Sequence, residues 1–289
     1  MSARHIYKPG LYFGLTFLIT FAFWLPGAFL SHQETQSPLY ILLGLAGMVT
    51  PFLLSLVLIF ASNDPAMKKD AVNRLINPRL IQLRMLPAFL LIMPLTVAAS
   101  ILLSLPFGGS LTQFQLAEGF SFSAGAVPAL LVLVLAACFE ELGWRGYGFE
   151  SLQSRSTYLT ASLIFGLLWS LWHLPLVFVK GMYQYEIWQQ NVWYGVNFFV
   201  SLIPLGVIVS WLCIKNGKSI LAAVLFHFLV NIFQEKFSMT QTTKCIETLV
   251  LAVVAIAIVA FDKELFFSRE HLAPSEGRWA PAKPSVSAS

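Results

Sequence analysis

Long apolar stretches broken by short polar segments run through this chain from Leu11 to Phe261. Roughly 18 or more consecutive apolar residues read as a helix that crosses a membrane. Eight candidate spans follow: Leu11–Leu30, Pro38–Ala61, Met85–Leu105, Ala126–Phe149, Thr157–Val179, Asn191–Ile214, Ser219–Phe233 and Cys245–Phe261. The seventh is short and the fourth ends in charged residues. Prolines such as Pro26, Pro51, Pro94 and Pro204 fall inside spans, where neighbouring helices can satisfy the carbonyls they free. The first run is too long for a signal peptide and lacks an Ala-x-Ala-like exit, so it reads as a retained helix. The predicted fold class is all-α, a polytopic membrane protein of about eight transmembrane helices around an intramembrane cavity.

Composition agrees. Of 289 residues, 57% are hydrophobic and 11% charged, with a mean hydropathy of +0.73. A soluble domain carries about a quarter charged residues, so a water-facing surface is excluded for most of this chain. With an inside amino terminus and eight crossings, fifteen of the eighteen Lys and Arg residues fall on the cytoplasmic side. Only Lys180, Lys236 and Lys244 fall on the other. The positive-inside rule therefore predicts that both termini are cytoplasmic, in the plasma membrane of a prokaryote or the endoplasmic reticulum of a eukaryote. The net charge of +4 then reports topology and contact with anionic lipid, not nucleic acid.

The basic segment Ser62–Arg84 reads equally as an interfacial amphipathic helix or as a solvated loop of topogenic charges. The tail from Ser268 to Ser289, rich in Pro, Ser and Ala, is expected to be disordered, leaving 1–267 as the membrane-embedded domain with its core motifs in 126–233. Three scattered cysteines imply no disulfide framework. Cys138 sits two positions before Glu140, about 200° around a helix from it, so the two side chains diverge.

A charge at the bilayer centre costs about 2.5–3.5 kcal/mol on insertion scales, so intramembrane polar residues mark function by default. Glu140 and Glu141 directly follow the apolar run Ala126–Phe139, and His173, His227 and Asn231 lie inside other spans. Glu141 and Arg145 are four apart and suited to an ion pair on one helix face. His227 and Asn231 share that spacing, as do Trp169 and His173. At about 1.5 Å per residue, Glu140 and His227 fall between the midplane and the cytoplasm. His173 joins them if its span starts later than Thr157. Such a cluster suits hydrolysis: a carboxylate takes a proton from water with a His assisting, while a His and an Asn amide donate to an oxyanion.

Three motifs in order, Glu140-Glu141-Leu142-Gly143-Trp144-Arg145, Trp169-Ser170-Leu171-Trp172-His173 and His227-Phe228-Leu229-Val230-Asn231, resemble those of the CPBP intramembrane proteases. That family includes the type II CAAX prenyl endopeptidases and the Abi proteins. The departure is Trp169 where the family usually has Phe; both are large aromatics suited to lining a peptide groove. The resemblance implies that Glu140 activates the water with His173 assisting, that His227 and Asn231 form the oxyanion hole, and that Glu141 and Arg145 support the site. In the prenyl-endopeptidase branch the reaction removes the last three residues of a prenylated protein, the prenyl chain staying among membrane lipids.

Other readings stay open. Glu140, His173 and His227 are an adequate zinc ligand set with a fourth position for water, so a zinc-dependent protease of the same fold acting on other peptides stands beside the expected metal-free one. Neither a His-Glu-x-x-His pair nor an internal repeat is present. Buried Glu and His residues also build proton-coupled transporters, and the fold suits a non-catalytic immunity protein as well. The sequence does not specify an oligomeric state.

Overall fold

The computed structural model describes residues 7–33, 39–117 and 129–272. All eight expected spans are largely helical over their described residues. Six helices are long and apolar enough to cross a membrane among the described residues: Pro9–Ser31, Leu39–Phe60, Leu83–Phe107, Tyr158–Phe178, Val192–Lys215 and Gln241–Phe261. The two that fall short are those the sequence singled out. One is helical from 129 to 153 but carries the Glu pair at its middle, and the other, Ile220–Lys236, has 17 residues. We label the α-helices α1 (Pro9–Ser31), α2 (Leu39–Phe60), α3 (Pro65–Ile76), α4 (Leu86–Ser104), α5 (Ala129–Gly143), α6 (Phe149–Gln153), α7 (Tyr158–Trp172), α8 (Tyr183–Gln190), α9 (Val192–Lys215), α10 (Ile220–Lys236), α11 (Gln241–Phe261) and α12 (Lys263–Phe267).

Helices α7, α9, α10 and α11 start where the sequence supplies a cap. Thr157, Asn191, Ser219 and Thr240 accept from the backbone N–H two or three residues on, satisfying donors that a helix start leaves free. Leu249, Val253 and Ile256 of α11, spaced four and three apart, are each about two-thirds exposed. In water such a stripe would be a liability; here it is the face turned to lipid. The chain's other half of the bargain is small residues where helices touch. A Cβ on Gly206 would lie 2.8 Å from Gly166 Cα, and one on Gly143 would lie 2.6 Å from the Pro51 carbonyl carbon. Glycine at these crossings lets α7 meet α9, and α2 meet α5, backbone to backbone.

The segment 62–84 resolves into α3 and two short 3-10 turns. Of its two readings the helix is present over Pro65–Ile76, and one charge on it needs a correction. Val72, Leu75 and Ile76 are exposed while Met67 and Ala71 are buried, and Arg74, counted as a solvated charge, is buried too. Its guanidinium donates to the carbonyls of Arg145 and Gly146 at 2.9 and 3.1 Å. Those carbonyls belong to a π-helical turn, Trp144–Gly148, that joins α5 to α6. The wider turn shifts the backbone hydrogen bonds by one residue, and Arg74 engages two of its carbonyls from outside.

Residues 268–272, placed in the expected disordered tail, are packed instead. A helical turn spans Glu270–Leu272, and His271 stacks on Tyr158 at 4.1 Å and bonds to the carbonyls of Gln153 and Ser156. Residues 273–289 of that tail lie outside the described residues.

Candidate active site

Three helices bring the sequence-predicted residues to one cavity of about 490 Å³, lined among others by Glu140, Trp169, His173, His227 and Asn231. Glu140 and Glu141 are adjacent on α5, and the rotation of about 100° per residue sends them to different partners. Glu140 enters the cavity and accepts a 2.7 Å hydrogen bond from the Trp169 indole N–H. Glu141 is fully buried behind it, 2.9 Å from His227 Nδ1 and 3.4 Å from Arg145 Nε. The expected Glu141–Arg145 pair is thus present. The Arg145 guanidinium also lies over the Phe165 ring, 4.1 Å from its centroid, a cation–π contact that stabilises a desolvated charge.

His173 stands where α7 ends. Pro175, two residues on, cannot continue an α-helix, and the chain tightens so that His173 N–H bonds to Ser170 O. That leaves the Trp169 carbonyl without its usual partner four residues ahead, and the His173 ring takes the place, Nδ1 to oxygen 2.8 Å. A carbonyl only accepts, so Nδ1 carries the proton and Nε2 is left as the acceptor. His227 is arranged the opposite way, with its Nδ1 on a carboxylate. A ring that donates from both nitrogens there would be the charged imidazolium, which Glu141 stabilises. Glu140 and both histidines line the same cavity, and Trp169 packs edge-on to each histidine, at 6.0 and 5.4 Å between ring centroids. One tryptophan therefore touches all three. Asn231, one turn beyond His227, is half-buried and lines the same cavity.

Two expectations need correcting. The sequence predicts a site between the membrane midplane and the cytoplasm, the side of the predicted termini, on condition that the His173 helix starts later than Thr157. Its cap is Thr157 and it starts at Tyr158, so His173 lies near the opposite end. The lining residues also rise toward that end, to Tyr40, Lys180, Tyr183 and Lys244, while Arg74, Glu150 and Lys218 sit at the other. The second correction concerns the acidic residues. Glu247, inside the eighth span and overlooked beside the Glu pair, is buried and lines the cavity, with its Oε1 accepting from Gln234 Nε2 at 2.9 Å. Its signal was available: a carboxylate two residues into a predicted span.

Among the described residues, no three His, Cys, Asp or Glu side chains converge in an arrangement that would hold a metal. The zinc alternative needs Glu140, His173 and His227 as a set. Each is held by one atom, Glu140 Oε2 by an indole, His173 Nδ1 by a carbonyl and His227 Nδ1 by Glu141, which leaves the other Glu140 oxygen and the two Nε2 atoms as the ones such a set would use. Cys138 is absent from the cavity wall, in line with its expected divergence from Glu140.

A family model described as type II CAAX prenyl endopeptidase Rce1-like matches residues 122–233, which contain all three motifs. The chain is also 52% identical over 269 residues to CAAX prenyl protease 2 of Methanococcus maripaludis, covering 93% of this chain and 99% of that one. The chain belongs to the Rce1-like family. A more distant likeness is to lysostaphin resistance protein A of Staphylococcus haemolyticus, 24% identical over 200 residues, 68% of this chain and 49% of that protein. In this Rce1-like protein, then, the motif residues named from sequence meet in one intramembrane cavity.

Proposed function

We propose that this protein is an intramembrane endopeptidase that removes the C-terminal tripeptide from prenylated proteins, with Glu140 as the general base. The observation that carries this reading is the division of labour between the two adjacent carboxylates. Glu140 faces the cavity with one oxygen held by Trp169, leaving the other for water. Glu141 faces away and holds His227. His173 offers Nε2 to the same water, as its carbonyl-bound Nδ1 requires. The water attacks the scissile carbonyl, its proton passes to Glu140, and the tetrahedral oxyanion is met by His227 and the Asn231 amide. Collapse returns the proton to the leaving amine. Every proton is handled by a side chain, which supports a glutamate-dependent, metal-free mechanism. The lipid-facing helices leave the prenyl chain in the bilayer while the peptide enters the cavity.

The test is direct. Purified protein in detergent, incubated with a farnesylated CAAX peptide, is expected to release the tripeptide, detected by mass, and Glu140→Gln to abolish release. Full activity in that variant would remove Glu140 from the mechanism. Loss of wild-type activity on dialysis against a chelator, restored by Zn²⁺, would favour the metal-dependent alternative.

A further inference from the structure

The cavity has a second polar station, set off from the Glu140 site along α10. His227, Asn231 and Gln234 follow at intervals of four and three residues, so all three share one helix face. Gln234 lies seven residues beyond His227, an axial rise of about 10.5 Å. At that level Lys244 reaches over from α11. Its Nζ donates to Gln234 O at 3.2 Å and lies over the Tyr183 ring, 4.7 Å from the centroid. Gln234 is fixed from its other end by Glu247. All four residues line the cavity.

Lys244 is half-buried and, among the described residues, forms no ion pair. Two acidic side chains line this wall, Glu235 and Glu247; Glu247 is engaged by Gln234, and neither forms an ion pair with Lys244. An ammonium has three donors, and the contacts here are one neutral carbonyl and one aromatic face. A half-desolvated cation in a cavity, without a counter-charge at ion-pair distance, is complementary to an anion that arrives with the ligand.

An extended peptide advances by about 3.3–3.6 Å per residue, so three residues span about 10 Å. That matches the separation between the oxyanion-hole level and Lys244. We infer that Lys244 receives the free C-terminal carboxylate of the substrate and so sets the cut three residues from the chain end. The inference rests on the proteolytic reading above and adds its ruler. An unpaired Lys244 holds the tail; the His227–Asn231 level then meets the third peptide bond from the end and no other.

Two farnesylated CAAX peptides, identical except that one ends in a free acid and the other in an amide, test this with the full-length protein. Wild type is expected to cleave the acid with a kcat/KM about tenfold or more above that of the amide, the difference lying in KM. Lys244→Gln is expected to lose that preference by becoming worse on the acid only, and Lys244→Arg to keep it. Equal cleavage of acid and amide by the wild type would overturn the inference while leaving the protease reading intact, and this comparison needs no variant to fold. A Lys244→Gln protein that retains the preference would also overturn it. Cleavage of neither peptide by the wild type would remove the protease reading and the ruler with it.

Discussion

Trp169 Nε1 donates a 2.7 Å hydrogen bond to Glu140 Oε2, and through its own carbonyl Trp169 also fixes His173. The residue that departs from the usual Phe of the motif thus sets the orientation of the base and of its assistant. A phenyl ring would fill much of the same space without a donor. Trp169→Phe is therefore expected to lower kcat about tenfold or more, the scale of a hydrogen bond to a charged group, with KM for the farnesylated peptide little changed. Trp169 acts through Glu140, as a positioning residue. If the variant keeps wild-type kcat, the indole contact does not orient the base.

The adjacent carboxylates should fail differently. Glu141 is fully buried against Arg145 and His227, so Glu141→Gln leaves a buried cation short of its counter-charge, a loss of about 3–5 kcal/mol where such pairs are broken. It also removes the carboxylate that supports His227 as a donor, with a fall in kcat of about 10²–10³ expected for a missing oxyanion-hole contact. Glu140 has one hydrogen bond to lose, and Glu140→Gln should unfold near the wild-type temperature while releasing no tripeptide. Thermal unfolding in detergent beside peptide cleavage reads both. Equal destabilisation by the two substitutions would mean that the roles of the pair are not divided as drawn.

Much of this was legible in the sequence because the membrane makes polar residues expensive. Eight apolar runs became eight helical segments, and Glu140, His173, His227 and Asn231 met because few other reasons exist to bury them. What stayed hidden depends on rotation and helix ends. The Trp169–Glu140 bond needs two helices in register, which spacing within one helix does not report. The His173 position follows from Pro175 ending α7, a signal that was visible but read only as a proline inside a span. Arg74 looked like any loop cation, since its partners are backbone carbonyls of a π-helical turn that no side-chain pattern announces. Glu247 was missed for a simpler reason: one carboxylate near a span end looks like an interfacial residue until its side chain is seen inside.

Arg74 and Lys218 converge on Glu150, at 3.4 and 3.2 Å. Burial alone would raise the Glu150 carboxyl, but Lys218 and Arg74 outweigh it and hold the group below the ordinary carboxylate range. A folded-state value below the unfolded one means that ionised Glu150 stabilises the fold above the unfolded value of about 4.3. That stabilisation is lost as pH falls through the lower folded value. The wild-type unfolding temperature is expected to drop on acidification through this window. Glu150→Gln should start lower at neutral pH and show a flatter acid limb. Parallel acid limbs for the two proteins would show that Glu150 does not carry the effect.

The cavity and the loop charges make separate statements about orientation. The charge asymmetry predicts that the end with Arg74, Lys218 and the termini faces the cytoplasm. The cavity rises toward the other end, to Lys180, Tyr183 and Lys244, so with cytoplasmic termini its mouth meets the opposite compartment. Peptide tails would then be presented at that face, beside the prenyl chain in the same leaflet. Single cysteines at the exposed positions Lys69 and Gln189, in a background with Cys138, Cys213 and Cys245 replaced by Ser, decide the matter. Under the charge rule a membrane-impermeant maleimide labels Gln189→Cys in intact cells and reaches Lys69→Cys only after permeabilisation. The reverse pattern would place the mouth in the cytoplasm and show that fifteen of eighteen basic residues do not set the topology. The substrate would in that case be a lipidated tail in the cytoplasmic leaflet. Either pattern fixes the compartment from which Lys244 receives a carboxylate.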